Sequence, residues 1–173
     1  MATSFASFGQ NTIATPWTGA WKLNLKQSTF GTVLIPGVPN DFKILSQTLT
    51  IEPAANGIRL VGDSTVSAGG ESQTGRDDNT LRFDGTPTRA GNVSLCFHQI
   101  NHSGFEIDTT IDAPNGNVSE VSRYDFSSDG KRLTATKMQT ARAPVPAGTD
   151  KNKGVVLRAS KSVLVYQKVS EHK

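Results

Sequence analysis

Glu120, Ser122, Tyr124 and Phe126 occupy alternate positions of one stretch, with Val121, Arg123 and Asp125 between them. A strand there sends those four side chains to one face. If Tyr124 and Phe126 point inward, so does Glu120. A lone inward carboxylate near an end of a barrel can anchor a cationic or hydroxylated ligand, or serve as the base of an isomerase or cyclase. More often such a residue is paired with an arginine or exposed at a rim. For enzymatic chemistry the candidate residues are Glu120, Tyr124 and His98.

Other reactive side chains are poorly placed for catalysis or metal binding. His98 and His102 stand four apart, but a Gly-containing turn surrounds them, so they do not share a helix face as a His-x-x-x-His zinc motif requires. His172 lies beside the C-terminus, where order is not expected. Cys96 is the sole cysteine, which excludes an intrachain disulfide and any cysteine-based zinc site. Glu106, Asp108 and Asp112 oppose the apolar set of their own stretch and read as a solvated face. Ser127 and Ser128 lack the flanking glycines of a nucleophile elbow. Gly69-Gly70 lacks the lysine and following helix of a phosphate loop. Neither a metal nor a cofactor is expected.

The elements that must position these residues are strands. Gly19-Ala20-Trp21-Lys22-Leu23-Asn24-Leu25 alternates apolar and polar side chains, and Gly19 leaves room beside the largest of them. Leu45 to Ile51, Ile58 to Ser67, Glu71 to Phe83, Asn92 to Ile100, Phe105 to Asp112, Val118 to Phe126, Lys131 to Gln139 and Val155 to Val169 follow. Turn signals separate them: Asn56-Gly57, Gly69-Gly70, Asp84-Gly85, His102-Ser103-Gly104, Asn115-Gly116 and Asp129-Gly130. That makes about nine strands with no segment of helical period. The class is all-β, and sequential neighbours favour an antiparallel up-and-down β-barrel. Lys26 to Asp41 carries Phe30, Val33, Leu34 and Ile35 without a period. It reads first as a packed crossover, with a cover over an open end as the functional alternative.

Residues 1–16 are expected to form a flexible arm ahead of a barrel domain at 17–170. They lack the basic start and apolar core of a signal peptide. No apolar run approaches the ~20 residues of a membrane helix, so no integral membrane segment is expected. The net charge of +3 is spread without runs of like sign, which argues against a nucleic-acid partner.

Gly19-x-Trp21 on the first strand resembles the lipocalin signature, in which the tryptophan plugs the closed end of the barrel. Trp21-Lys22-Leu23-Asn24 with Lys26-Gln27-Ser28-Thr29-Phe30 is similar to the opening of an uncharacterised group of bacterial lipocalin-like (calycin-type) proteins that are usually exported. Val121-Ser122-Arg123, Ser128-Asp129-Gly130-Lys131 through Leu133-Thr134-Ala135-Thr136, and Val165-Tyr166-Gln167-Lys168 are similar to later stretches of that group. The resemblance implies a lipocalin-like barrel and a secreted or periplasmic location, with a cytoplasmic one still open. It carries over no catalytic residue.

The expected function is binding of a small hydrophobic or amphipathic molecule inside the barrel. By strand parity Phe97, Phe105, Ile107 and Tyr124 are the inward residues expected to meet it. A barrel enzyme and a filled barrel serving a structural or interaction role are the alternatives, and the interior separates the three. The oligomeric state is not legible.

Overall fold

The computed structural model describes residues 17–35, 37–113, 116–144, 150 and 153–170. The arm at 1–16, the tip of the 114–115 turn and His172 lie outside the described residues. Ten strands run in chain order: β1 Gly19–Leu23, β2 Lys43–Ala54, β3 Gly57–Ala68, β4 Glu71–Arg82, β5 Thr88–Ala90, β6 Val93–Asn101, β7 Gly104–Ala113, β8 Gly116–Phe126, β9 Arg132–Arg142 and β10 Val156–Lys168. One antiparallel sheet orders them β4-β3-β2-β1-β10-β9-β8-β7-β6-β5. That is an up-and-down barrel, nearly closed and consistent with a lipocalin-like architecture. The count exceeds the expected nine because Thr88–Ala90 pairs with Val93–Leu95 and so becomes a strand of its own.

The sheet closes between its two edges, β4 and β5, through side chains. The Thr88 hydroxyl donates to the Thr80 carbonyl at 2.6 Å, and Phe83 packs on Phe97 with ring centroids 5.5 Å apart.

Period two divides each strand into an inner and an outer row. Leu49 and Ile51 on β2, Leu81 on β4, Phe97 on β6, Phe105 and Ile107 on β7, and Leu133 and Ala135 on β9 are all buried in one core. The outer row carries exposed ion pairs, among them Arg59 with Glu52 and Asp78, Arg76 with Asp63, and Arg123 with Asp125. Such solvated pairs contribute little, because solvent screens them, so the fold is held by the inner row.

Trp21 is at the centre of the closed end and fully buried, at 0% exposure. Its indole N–H donates to the Trp17 carbonyl at 2.9 Å, while the Trp17 indole donates to the His102 carbonyl at 3.0 Å. Lys168, directly across β10 from Trp21, holds its ammonium 5.3 Å from the ring centroid. Gly19 is required just before this site. Its φ is +120°, and a side chain there would press on the Lys168 stem.

The first strand is shorter than its alternation suggests. At Asn24 the chain turns: the Asn24 side chain accepts the Gln27 N–H, and the Ser28 hydroxyl donates to the Asn24 carbonyl. Polar side chains thus offer the backbone a turn in place of a longer ladder. Leu25 consequently sits at 41% exposure beside the barrel mouth.

Candidate functional site

The barrel interior has two halves. Its closed half is packed with rings. Trp17 lies 5.2 Å from Phe105, Trp21 lies 5.2 Å from Phe126, and Phe97 lies 5.2 Å from Phe105. Phe105 in turn stacks on Tyr124 at 4.7 Å. Phe97, Phe105, Ile107 and Tyr124 do face inward, as parity requires, but they belong to this packed aromatic floor. None of the four lines the open space above it.

That space is a cavity of about 540 Å³ at the open end. The volume falls within the roughly 300–1,000 Å³ of small-molecule sites. Its apolar wall includes Phe30, Val33, Ile35, Phe42, Ile44, Val66 and Leu164, and its polar groups include Lys43, Gln47, Ser64, Asp77, Glu120, Lys137, Gln139 and Ser162. A larger groove of about 1220 Å³ runs round the closed end past Pro53, Arg132 and Lys168. Its charged side chains are exposed. The smaller cavity holds a buried ionic network, and it is the better candidate.

The network is built by parity on two adjacent strands. Glu120 and Ser122 of β8 pair across the ladder with Gln139 and Lys137 of β9, so all four side chains share the inner face. The Lys137 ammonium donates to Glu120 Oε1 at 2.9 Å, and the Ser122 hydroxyl donates to the same oxygen at 2.7 Å. The Gln139 amide nitrogen donates to Glu120 Oε2 at 2.7 Å. Side-chain exposure is 14% for Glu120 and 29% for Lys137, so the pair is largely removed from water. Beside it, the Tyr166 hydroxyl donates to Gln47 Oε1 at 2.6 Å.

The electrostatics follow from that packing. Burial pushes the Glu120 carboxyl up, but the Lys137 charge and hydrogen bonds from Ser122, Lys137 and Gln139 outweigh it, and the net is below the ordinary value. For Lys137, burial pulls down, while the surrounding oxygens of Tyr124, Glu120 and Tyr166 raise it further, and the net is well above an ordinary lysine. Burial raises both Tyr124 and Tyr166. At neutral pH the network therefore consists of an ionised pair flanked by neutral phenols.

The mouth is crossed by the strap that follows β1. Thr29 exchanges two backbone hydrogen bonds with Val163 on β10, each 2.8 Å. Gly31 then passes against the backbone of Lys161 so closely that a side chain would collide with it. There its N–H donates to the Ser162 hydroxyl at 2.9 Å. Beyond that crossing the Leu34 N–H donates to the Gln139 amide oxygen at 2.9 Å. Of the two readings of Lys26–Asp41, cover or crossover, the contacts of residues 29–35 match the cover.

His98 is far from this chemistry. It stands on the outer face and meets Asp108 Oδ2 at 3.1 Å, with both side chains 48% exposed. Cys96 is also on the outer parity and its thiol donates to the Gly85 carbonyl. Of the three candidates for catalysis, Glu120 and Tyr124 are brought together and His98 is not. Among the described residues no three His, Cys, Asp or Glu side chains converge as a metal site requires.

Lys137 and Gln139 are the residues of the ionic network that the sequence reading passed over, as it passed over Asp77 on the cavity wall. Their signal was the alternation Leu133, Ala135, Lys137, Gln139, which places a cation on a core-facing parity. Comparison with protein-family models, with curated proteins and with solved structures finds no match to this chain, so the site is read from its own geometry.

Proposed function

We propose that this protein binds a small hydrophobic or amphipathic molecule in the cavity between the strap and the Glu120–Lys137 pair. The observation that carries the reading is the coexistence of an open volume of about 540 Å³ with a satisfied polar floor. A filled barrel has no need of such a volume. Apolar walls favour an apolar body at ~25 cal/mol per Å² buried, before immobilisation is subtracted. The polar groups at the floor offer both donors and acceptors to a head group. A barrel enzyme is the weaker alternative, because the ammonium on Glu120 lowers its basicity, whereas a general base works best near the operating pH. The resemblance of the opening and closing strands to exported lipocalin-like proteins supports a secreted or periplasmic setting.

The neutral dye N-phenyl-1-naphthylamine tests the reading by fluorescence titration. One saturable site in the micromolar range is expected. Ser64→Phe projects a ring into the cavity from a wall position whose hydroxyl makes no hydrogen bond among the described residues, and it should weaken binding about tenfold or more. Asp108→Ala on the outer face should leave binding within about twofold of wild type. Absence of a saturable site, or a folded Ser64→Phe variant that binds as wild type does, would overturn the proposal.

A further inference from the structure

We infer that the ligand of this cavity carries a positive charge, as an amphipathic amine or quaternary ammonium. The inference rests on the binding proposal above and concerns which class of molecule the cavity selects. Among the described residues four charged ones line the space: Lys43, Asp77, Glu120 and Lys137. Lys137 is the obvious attraction for an anion, but it is already engaged by Glu120 at 2.9 Å. The pair is neutral as a unit, and Ser122 and Gln139 also donate to the carboxylate. A carboxylate arriving at Lys137 would meet the Glu120 charge beside it, so the pair offers an anion no net attraction.

Asp77 is different. On β4 it stands opposite Gly62 of β3, which in turn stands opposite the buried Leu49 of β2, so Asp77 has the inner parity. In the sheet order β4 is five places from β9, about half-way round the barrel from Lys137. Asp77 makes no hydrogen bond or ion pair among the described residues. Of its same-face neighbours Gly62 and Gly75 carry no side chain, and Asn79 stands two residues along the strand. Water solvates it while the cavity is wet. A ligand that fills the space strips away that water, and the carboxylate then needs a compensating charge. A cationic head supplies one, a neutral head leaves the loss uncompensated, and an anionic head adds repulsion. Lys43 does not reverse this order. Both Lys43 and Asp77 are exposed, but Lys43, the first residue of β2, has the outward parity opposite to Ile44, whereas Asp77 has the inner one.

The apolar wall then takes the tail. Phe30, Val33 and Ile35 of the strap line the same space as Phe42, Ile44 and Val66. A single-chain amphiphile with its head at Asp77 places its methylenes among these groups.

Three probes of equal chain length separate charge from burial: decyltrimethylammonium, decanol and decanoate, each competing with N-phenyl-1-naphthylamine. Decyltrimethylammonium should displace the dye at about tenfold lower concentration than decanoate, with decanol between them. Asp77→Asn keeps the size of the side chain and removes its charge. It should cut the cation-over-anion preference about fivefold or more and leave decanol unchanged. A preference for decanoate, or a cation preference that survives Asp77→Asn, overturns the inference while leaving the binding site intact. If the dye itself finds no site, the binding proposal fails instead.

Discussion

Leu34 and Gln139, 105 positions apart in the chain, are joined by a 2.9 Å hydrogen bond from the Leu34 N–H to the Gln139 amide oxygen. The nitrogen of the same amide holds Glu120 at 2.7 Å. One side chain thus ties the strap over the mouth to the ionised pair on the floor. Its orientation is settled by its partners, since the carboxylate accepts only and the backbone N–H donates only.

Gln139→Leu should loosen the strap and leave the barrel standing. The variant leaves the Leu34 N–H without its partner and removes one bond from Glu120, at a cost of about 1–3 kcal/mol. Hydrogen exchange should report lost protection at Leu34 and its neighbours, with β7 to β9 amides unchanged. Equal protection in the two proteins would mean that the strap is held by its apolar contacts alone.

Lys137→Met should be among the most destabilising single changes at the open end. It strands the buried Glu120 carboxylate, and breaking such a pair costs about 3–5 kcal/mol. The double variant Lys137→Met with Glu120→Gln removes both charges and should recover much of the loss. Urea titration of the four proteins gives the coupling directly. Additive losses would show that the two groups do not act as a pair.

The same pair sets an acid limb to stability. Glu120 has an ordinary value of 4.5, and its net shift in the folded protein is downward. A carboxyl lowered on folding stabilises the native state at pH above its unfolded value, and that contribution is lost as pH falls through the lower folded value. Unfolding free energy should therefore decline below pH about 4.5. The decline should be shallower in Glu120→Gln, even though that variant starts from a lower stability at neutral pH. Parallel pH profiles would rule out Glu120 as a source of the limb.

Trp21→Ala should cost about 3–5 kcal/mol. It removes a fully buried indole, the donor to the Trp17 carbonyl and the ring beneath Lys168. A denaturant midpoint within about 1 kcal/mol of wild type would deny the closed end its organising role.

Most of the barrel was legible in alternation, because a half-buried strand must write its inner row every second residue. Glu120, Ser122, Tyr124 and Phe126 came out on one face for that reason. Thr88–Ala90 is too short to show a period, so its pairing with β6 had no local signature. The division of the interior into floor and cavity was also hidden. Parity says that Phe105 points inward, but not that Trp17 enters from below to fill the space beside it. The strap was equally silent, since its hold on Ser162 and Gln139 depends on residues more than 100 positions away.

A hoop of strands normally has a fixed girth, because every ladder sets its neighbours about 4.8 Å apart. Here the hoop has a clasp. Between β4 and β5 it is fastened by the Thr88 hydroxyl on Thr80 and by Phe83 against Phe97, and both fastenings lie towards the closed end of β4. The half of β4 nearer the mouth, Asp77 included, has a ladder on one side only among the described residues. Widening the mouth there breaks no strand pairing. A guest of the proposed cavity would therefore meet, on the β4 side, a wall whose displacement costs no ladder, so binding there would discriminate weakly by width.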